Sequence, residues 1–279
     1  MKKLYAILIF MIMTTFCHGQ DEPLSLANAI FAKEKFPNLD KHVTGEYKGR
    51  PNGTDLPTNV TTDFLLLGQY DKTAVVNITI TDSAGQAFDG YLHFVKEEVW
   101  KITAFRALAL TGIIGQIKEM LENMTESQID SIIERSKNDT KGFALFKTRE
   151  EYEYTLGNAR LTLASDKELI DHFKKNELDF EKLKDDLIAN GIMSIKSGLQ
   201  DMADADRFRK RLNKLLLNTV GPDVFNGSSN NLNFNIGGMV DNTVGYLFIA
   251  DKEKVPKMNP NSIIMIRELG NGWYLFKTT

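Results

Sequence analysis

The first half of the chain carries a hydrophobic pattern typical of antiparallel strands. Residues 76–81 alternate between Val or Ile and Asn or Thr, which is the period-two pattern of a strand with one buried face. Three nearby stretches are also rich in β-branched and aromatic residues, and short polar turns separate them. The four predicted strands are 64–70, 74–81, 86–95 and 99–105. The pattern predicts a four-stranded β-meander, whose apolar face needs a helix packed against it.

Helical periodicity precedes and follows this meander. A short amphipathic helix is expected over 24–36, where Pro37 ends it, and apolar residues recur at spacings of three and four over 113–121. Capping boxes, in which a hydroxyl and a Glu or Gln three residues later satisfy free backbone groups, predict three further helix starts. They are Thr125 with Gln128, Thr148 with Glu151, and Ser165 with Glu168. A last amphipathic helix is predicted over 206–217.

The C-terminal part returns to strand patterns. The candidates are 232–236, 245–250, 263–267 and 273–276, with Gly270-Asn271-Gly272 as a hairpin turn. This last hairpin and the stretch 94–102 both pass from a strand through a turn to a Trp and a second strand. The sequence therefore predicts an α+β fold of two lobes, each a small antiparallel β-meander packed against helices, with a helical middle segment.

Domain boundaries follow from these elements. We expect an N-terminal α+β lobe over 20–120, a helical connector over 121–160 and a C-terminal α+β lobe over 161–279. Within the first lobe, residues 37–62 are rich in Pro, Gly and polar residues, which is typical of a loop or linker.

The first nineteen residues have the proportions of an export signal peptide. A positively charged start, Met1–Lys3, is followed by apolar residues through Phe16, a run too short to cross a bilayer. Small residues at Cys17 and Gly19 suit cleavage before about Gln20. A lipoprotein cut before Cys17 is disfavoured, because Phe16 is bulky. The sequence predicts a bacterial protein that is periplasmic or secreted.

Composition narrows the functional classes. Loss of Lys2 and Lys3 with the signal peptide changes the net charge from −3 to −5, which gives no electrostatic reason to bind nucleic acid. The single cysteine, Cys17, also leaves with the signal peptide, so no disulfide is expected in the mature chain. No later stretch is long and apolar enough to span a membrane. No cofactor is expected, since neither G-x-G-x-x-G nor the phosphate-binding Gly-Lys-Ser/Thr loop occurs.

Residues with catalytic or metal-binding chemistry are sparse. His42, His93 and His172 lack a second His or Cys at ligand spacing, so no metal site is predicted. We expect His172 on a helix surface, while His93 either lines a pocket or is a buried structural residue. No Gly-x-Ser-x-Gly nucleophile motif occurs.

Aromatic residues of the meander form the candidate ligand site. The site is predicted to consist of Phe88, Tyr91, His93, Trp100 and Phe105. The alternative for these aromatic side chains is an ordinary hydrophobic core.

Two segments resemble known kinds of exported protein. Residues 90–112, with Val99-Trp100-Lys101-Ile102, resemble the closing strand of small domains related to the NTF2-like and cystatin-like folds. Residues 167–187, taken with 245–248 and 272–276, resemble uncharacterised bacterial exported proteins. The NTF2-like resemblance implies a curved sheet around a pocket, and hence ligand binding by analogy.

The function predicted from the sequence is a non-catalytic binding or interaction module. Its partner is an unidentified ligand, namely a small apolar molecule, a cell-envelope component or another protein. Two alternatives stay open. One is a cell-envelope hydrolase with paired carboxylates, which needs an acid with a raised pKa. The other is an inhibitor of an exported enzyme, with 37–62 as a protruding inhibitory loop.

Overall fold

A computed structural model describes residues 22–137, 144–189, 205–222, 225 and 231–279. The predicted export signal lies outside these residues. The chain divides into two compact units, Met1–Ala107 and Leu108–Thr279. The fold is mixed, with two antiparallel sheets packed against helices and a helical middle segment, so the predicted fold class is confirmed.

The first unit contains the predicted meander. Helix α1 spans Pro23–Ile30, and the strands are β1 (Thr61–Gln69), β2 (Thr73–Thr81), β3 (Ala87–Lys96) and β4 (Trp100–Arg106). All neighbours pair antiparallel in the order β1-β2-β3-β4, because each connection is a short turn. Helix α1 packs across β1 and β2.

The core of the first unit lies between α1 and one face of the sheet. Leu26 and Ile30 of α1 are buried together with Val76, Ile78 and Leu92. The three strand residues have even numbers, so the alternation seen in the sequence selects the face that α1 covers. The odd-numbered residues of β2 and β3 face the opposite side.

The Pro- and Gly-rich segment before β1 packs against this core. It contains two short 3-10 turns, Leu39–His42 and Gly53–Asp55. Tyr47 is buried, and its hydroxyl donates a hydrogen bond to the Pro51 carbonyl at 2.5 Å. Burial, with a smaller contribution from Asp55, raises the pKa of the Tyr47 hydroxyl. These contacts hold the middle of segment 37–62 against the core of the first unit.

The second unit begins with helices and ends with a sheet. Its helices are α2 (Gly112–Glu122), α3 (Glu126–Ser136), α4 (Arg149–Thr162), α5 (Asp166–Ala189) and α6 (Ala205–Lys214). Its strands are β5 (Thr219–Pro222), β6 (Leu232–Met239), β7 (Asn242–Phe248), β8 (Ile263–Gly270) and β9 (Trp273–Thr278). They form an antiparallel sheet in the order β5-β6-β7-β9-β8. Residues 108–120, grouped with the first lobe in the sequence, lie in this unit, where α2 packs against α4.

Local capping places the helix starts of the second unit. At α3, the Thr125 side chain accepts from the Gln128 backbone N–H, and the Gln128 side chain accepts from the Thr125 N–H. At α5, Ser165 and Glu168 make the corresponding pair of hydrogen bonds, at 3.3 and 2.8 Å. These bonds satisfy backbone groups that a helix leaves free at its start.

An aromatic cluster joins α5 to the second sheet. Phe173 and Phe180 of α5 pack on Tyr246 and Trp273, with ring centroids 5.1–5.7 Å apart. The indole N–H of Trp273 donates to the Glu181 carboxylate at 2.6 Å, so the one polar atom of the ring has a partner.

Candidate functional site

The face of the first sheet opposite α1 carries a cross-strand group of polar side chains, which we call the polar face. It consists of Asn77, Thr79, Asp89, Tyr91, His93 and Arg106. The strand register places Asn77 opposite Tyr91, Thr79 opposite Asp89, and Tyr91 opposite Arg106. Adjacent strands therefore bring together residues that are far apart in the chain.

The Asp89 carboxylate is at the centre of the hydrogen bonds on the polar face. Its Oδ1 accepts from the Thr79 hydroxyl at 2.5 Å and from the Asn77 amide at 3.3 Å. The same amide donates to the Gly90 carbonyl at 3.3 Å. Both Asn77 and Asp89 are buried. The two donors fix the orientation of a carboxylate that would be costly to bury without partners.

Tyr91, His93 and Arg106 complete the polar face. Tyr91 and His93 are fully buried or nearly so. The His93 backbone is held to β4 by the Thr103 hydroxyl, which donates to its carbonyl at 3.1 Å. Arg106, at the end of β4, forms an ion pair with Glu46 at 2.6 Å.

The polar face reaches the edge of the sheet at β1. Leu65 pairs with Asn77, so Leu65, Asn77, Tyr91 and Arg106 form one continuous row across the four strands. The burial changes along this row: Asn77 and Tyr91 are buried, whereas Leu65 is 40% exposed. The β1 end is thus the exposed end of the row.

The five residues predicted to line one pocket do not share a face. Tyr91 and His93 lie on the polar face. Trp100 belongs to the core under α1, and Phe105 packs on that core with its ring 6.4 Å from the Phe31 ring. Phe88 lies on the α1 side near the strand end, where it is 50% exposed.

A bulge in the β3–β4 pair causes this separation. His93 pairs with Ala104 and Phe94 with Ile102, so one residue of β4 between them has no paired residue in β3. The extra residue shifts the alternation, and Phe105 emerges on the same face as Trp100. Gly90 makes room for it, because a Cβ at Gly90 would lie 2.5 Å from the Phe105 ring.

Sequence reasoning missed Asn77, Thr79 and Asp89 as site residues. The sequence did mark two of these residues, because Asn77 and Thr79 alternate with apolar residues in β2. That pattern is typical of a face exposed to water, however, and Asn77 is buried. Its burial depends on tertiary structure, which the period-two pattern does not report.

The second unit contains a histidine–tyrosine pair in which Tyr246 is buried and His172 is half-buried. The Tyr246 hydroxyl donates to the Leu169 carbonyl at 2.8 Å, and His172 Nδ1 lies 3.1 Å from the same hydroxyl. Because the hydroxyl has a single proton, Nδ1 of His172 is the donor to it. Burial, aided by the nearby Lys175 charge, lowers the pKa of His172 to about 4. His172 is thus half-buried against Tyr246 rather than fully exposed on the helix surface.

The carboxylates with shifted pKa values near lysines do not resemble a general acid. The Lys167 ammonium lowers the pKa of Asp171, and the Lys214 ammonium lowers that of Asp179. A hydrolase acid requires a shift in the opposite direction. Within the described ranges, no group of three His, Cys, Asp or Glu side chains has an arrangement that would hold a metal ion.

Comparison with known proteins gives no assignment. No family model, no curated protein and no solved structure matches this chain significantly. Among the helices in the described part of the chain, none combines the length and apolar content required to cross a membrane.

Proposed function

We propose that this protein is an exported, non-catalytic binding module and that its ligand site is the polar face. The observation that carries the proposal is the row of hydrogen-bonding side chains across β2, β3 and β4, with the Asp89 carboxylate held by Asn77 and Thr79. Binding sites typically combine a few fixed polar groups with aromatic side chains. Tyr91 and His93 lie beside Asp89 but are buried, so a ligand would reach them only from the exposed β1 end of the row.

The position of the polar groups supports this function. Three buried hydrogen-bonding residues, Asn77, Asp89 and His93, occupy the middle of a sheet whose other face already forms the core. Polar groups in such positions cost stability unless each has a partner, and apolar residues would be cheaper there. The hydrogen bonds that Asp89 accepts from Asn77 and Thr79 hold these groups in fixed orientations, as a recognition site requires.

The ligand class follows from the same groups. Carboxylate, amide, imidazole, phenol and guanidinium groups together suit a small molecule or cell-envelope component with several polar atoms. Ligand would reach the polar face from the β1 side, where Leu65 and Asp63 are exposed.

Native mass spectrometry of the protein, purified gently from its own compartment, tests the proposal. We expect a small molecule to remain bound to the wild-type protein and to be lost from Asp89→Asn. This substitution replaces one carboxylate oxygen with an amide nitrogen, which donates hydrogen bonds instead of accepting them. Asp171→Asn, at an exposed aspartate of the second unit, is the matched control and should retain the ligand. Wild-type protein without a bound small molecule, or retention by a folded Asp89→Asn variant, contradicts the proposal.

A further inference from the structure

A lysine and an aspartate form a buried pair between the second sheet and α5. Lys277 lies on β9, an inner strand of the sheet, and Asp166 is the first residue of α5. Lys277 Nζ is 2.7 Å from Asp166 Oδ1, and the two side chains are 5% and 3% exposed. They are 111 positions apart in the sequence, so only the tertiary fold brings them together.

The surroundings of this pair are apolar. Lys277 pairs across the strands with Val244 of β7 and Met265 of β8, both of which are fully buried. Leu169, in the first turn of α5 after Asp166, is also fully buried. Such surroundings remove most of the water that would solvate an ammonium and a carboxylate. Moving one proton from Lys277 to Asp166 gives a neutral amine and a neutral carboxylic acid, which burial does not penalise in this way.

We propose that Lys277 and Asp166 condense to an amide, an intramolecular crosslink between β9 and α5. The lone pair of Lys277 Nζ attacks Asp166 Cγ, and the bond from Cγ to the hydroxyl oxygen breaks. The hydroxyl leaves with one proton of the amine as water. One C–N bond forms and one C–O bond breaks, so the reaction needs no oxidant, reductant or further reactant. The product ties the start of α5 to the sheet and, like a disulfide, restricts the unfolded chain.

Two properties of the site favour this reaction. The contact places the reacting groups side by side, which replaces a bimolecular collision with an intramolecular step at an effective concentration of about 10⁵ M or more. Burial also removes the main advantage of the separate ions, because in water both are stabilised by solvation that is lost when the amide forms. The amide carries no charge to desolvate, so burial shifts the balance towards it.

An exposed pair of the same residue types shows what burial contributes. Lys167 Nζ and Asp171 Oδ2 are also 2.7 Å apart, but their side chains are 85% and 58% exposed. Their mutual hydrogen bond raises the pKa of Lys167 and lowers that of Asp171. This lysine therefore stays protonated and has no lone pair with which to attack. No amide is expected between these two residues.

Tryptic digestion of the denatured full chain, followed by mass spectrometry, tests the proposal. Trypsin cuts after unmodified Lys and Arg, so the amide would join fragments 161–167 and 268–279 into one branched peptide. We expect this peptide from protein that has been incubated in the folded state at neutral pH. Its mass should be lower than the sum of the two fragments by one water molecule, and cleavage after Lys277 should be lost.

Lys277→Arg supplies the matched variant, because arginine keeps the positive charge beside Asp166 while its guanidinium stays protonated and does not attack a carboxyl group. This variant should give no branched peptide, and Lys167→Arg, at the exposed pair, should give as much as the wild type. Wild-type protein that yields only the separate fragments 161–167 and 268–277 overturns the proposal. So does a branched peptide that persists in Lys277→Arg.

Discussion

His172 shows how a single side chain couples stability to pH. Its ring lies against Phe180 and Tyr246 and donates to the Tyr246 hydroxyl, so the folded state favours the neutral imidazole. The pKa of His172 falls from 6.5 to about 4 on folding. The unfolded chain therefore binds this proton more tightly than the folded one.

We expect acid to destabilise the second unit through this residue. The stabilisation is fully present above pH 6.5 and is lost as the pH falls towards about 4. A pKa difference of about 2.5 corresponds to about 3 kcal/mol. Urea unfolding at pH 7 and pH 5 should show the loss in the wild type and a smaller one in His172→Asn, which keeps an N–H donor but does not titrate. An equal loss in both proteins would assign the acid sensitivity to other groups.

At the scale of elements, local capping decides where helices begin. The sequence predicted starts at Thr125, Thr148 and Ser165, and the structure confirms all three. The prediction succeeded because a capping box is made by residues at most three positions apart, so it depends little on the rest of the fold.

The start of α5 provides a direct test of this contribution. Ser165→Ala removes the acceptor for the Glu168 N–H and the hydroxyl that donates to the Glu168 carboxylate at 2.7 Å. We expect the free energy of unfolding to fall by about 1 kcal/mol. Ser131→Ala, at an exposed serine inside α3, should change it by less than about 0.5 kcal/mol. Equal effects of the two substitutions would mean that the cap contributes nothing at α5.

Local sequence patterns also predicted where the strands lie along the chain. They did not always predict which side chains share a face of the sheet. The period-two pattern of β2 placed Val76 and Ile78 correctly under α1. In β4 the same reasoning would put Phe105 on the face opposite Trp100. The β3–β4 bulge reverses that assignment, and a bulge of this kind arises from the fit between two strands.

At the scale of the whole molecule, each compact unit has its own core and one of the two tryptophans. Trp100 lies in the core of the first unit, and Trp273 lies beneath α5 in the second. The variants Trp273→Phe and Trp100→Phe therefore leave a single fluorescent reporter in one unit or the other. Unfolding of each unit can be followed separately in the full chain.

A buried ion pair provides the perturbation for this measurement. Lys277 of β9 and Asp166 of α5 are both buried, with Nζ 2.7 Å from the carboxylate. Lys277→Met leaves the Asp166 charge buried without this partner, which should cost about 3–5 kcal/mol. We expect the unfolding midpoint reported by Trp273 to fall much further than the midpoint reported by Trp100. A common shift of both midpoints would show that the two units unfold as one.

The sequence by itself determined the local features of this protein. Strand and helix periods, hairpin turns and capping boxes depend on neighbours within a few residues, and they were enough to predict two meanders and a helical middle segment. The α+β fold class followed, because each amphipathic element needs an opposite layer.

Only the tertiary structure decided which residues come together. It divided the predicted pocket between two faces, since a bulge changes which side chains align across strands. It buried Asn77 and Asp89 and half-buried His172, three polar residues that the sequence pattern placed at the surface. It also left the β1 edge unpaired with any described residue. These outcomes depend on contacts between residues distant in the chain, and the local pattern of hydrophobic and polar residues does not encode such contacts.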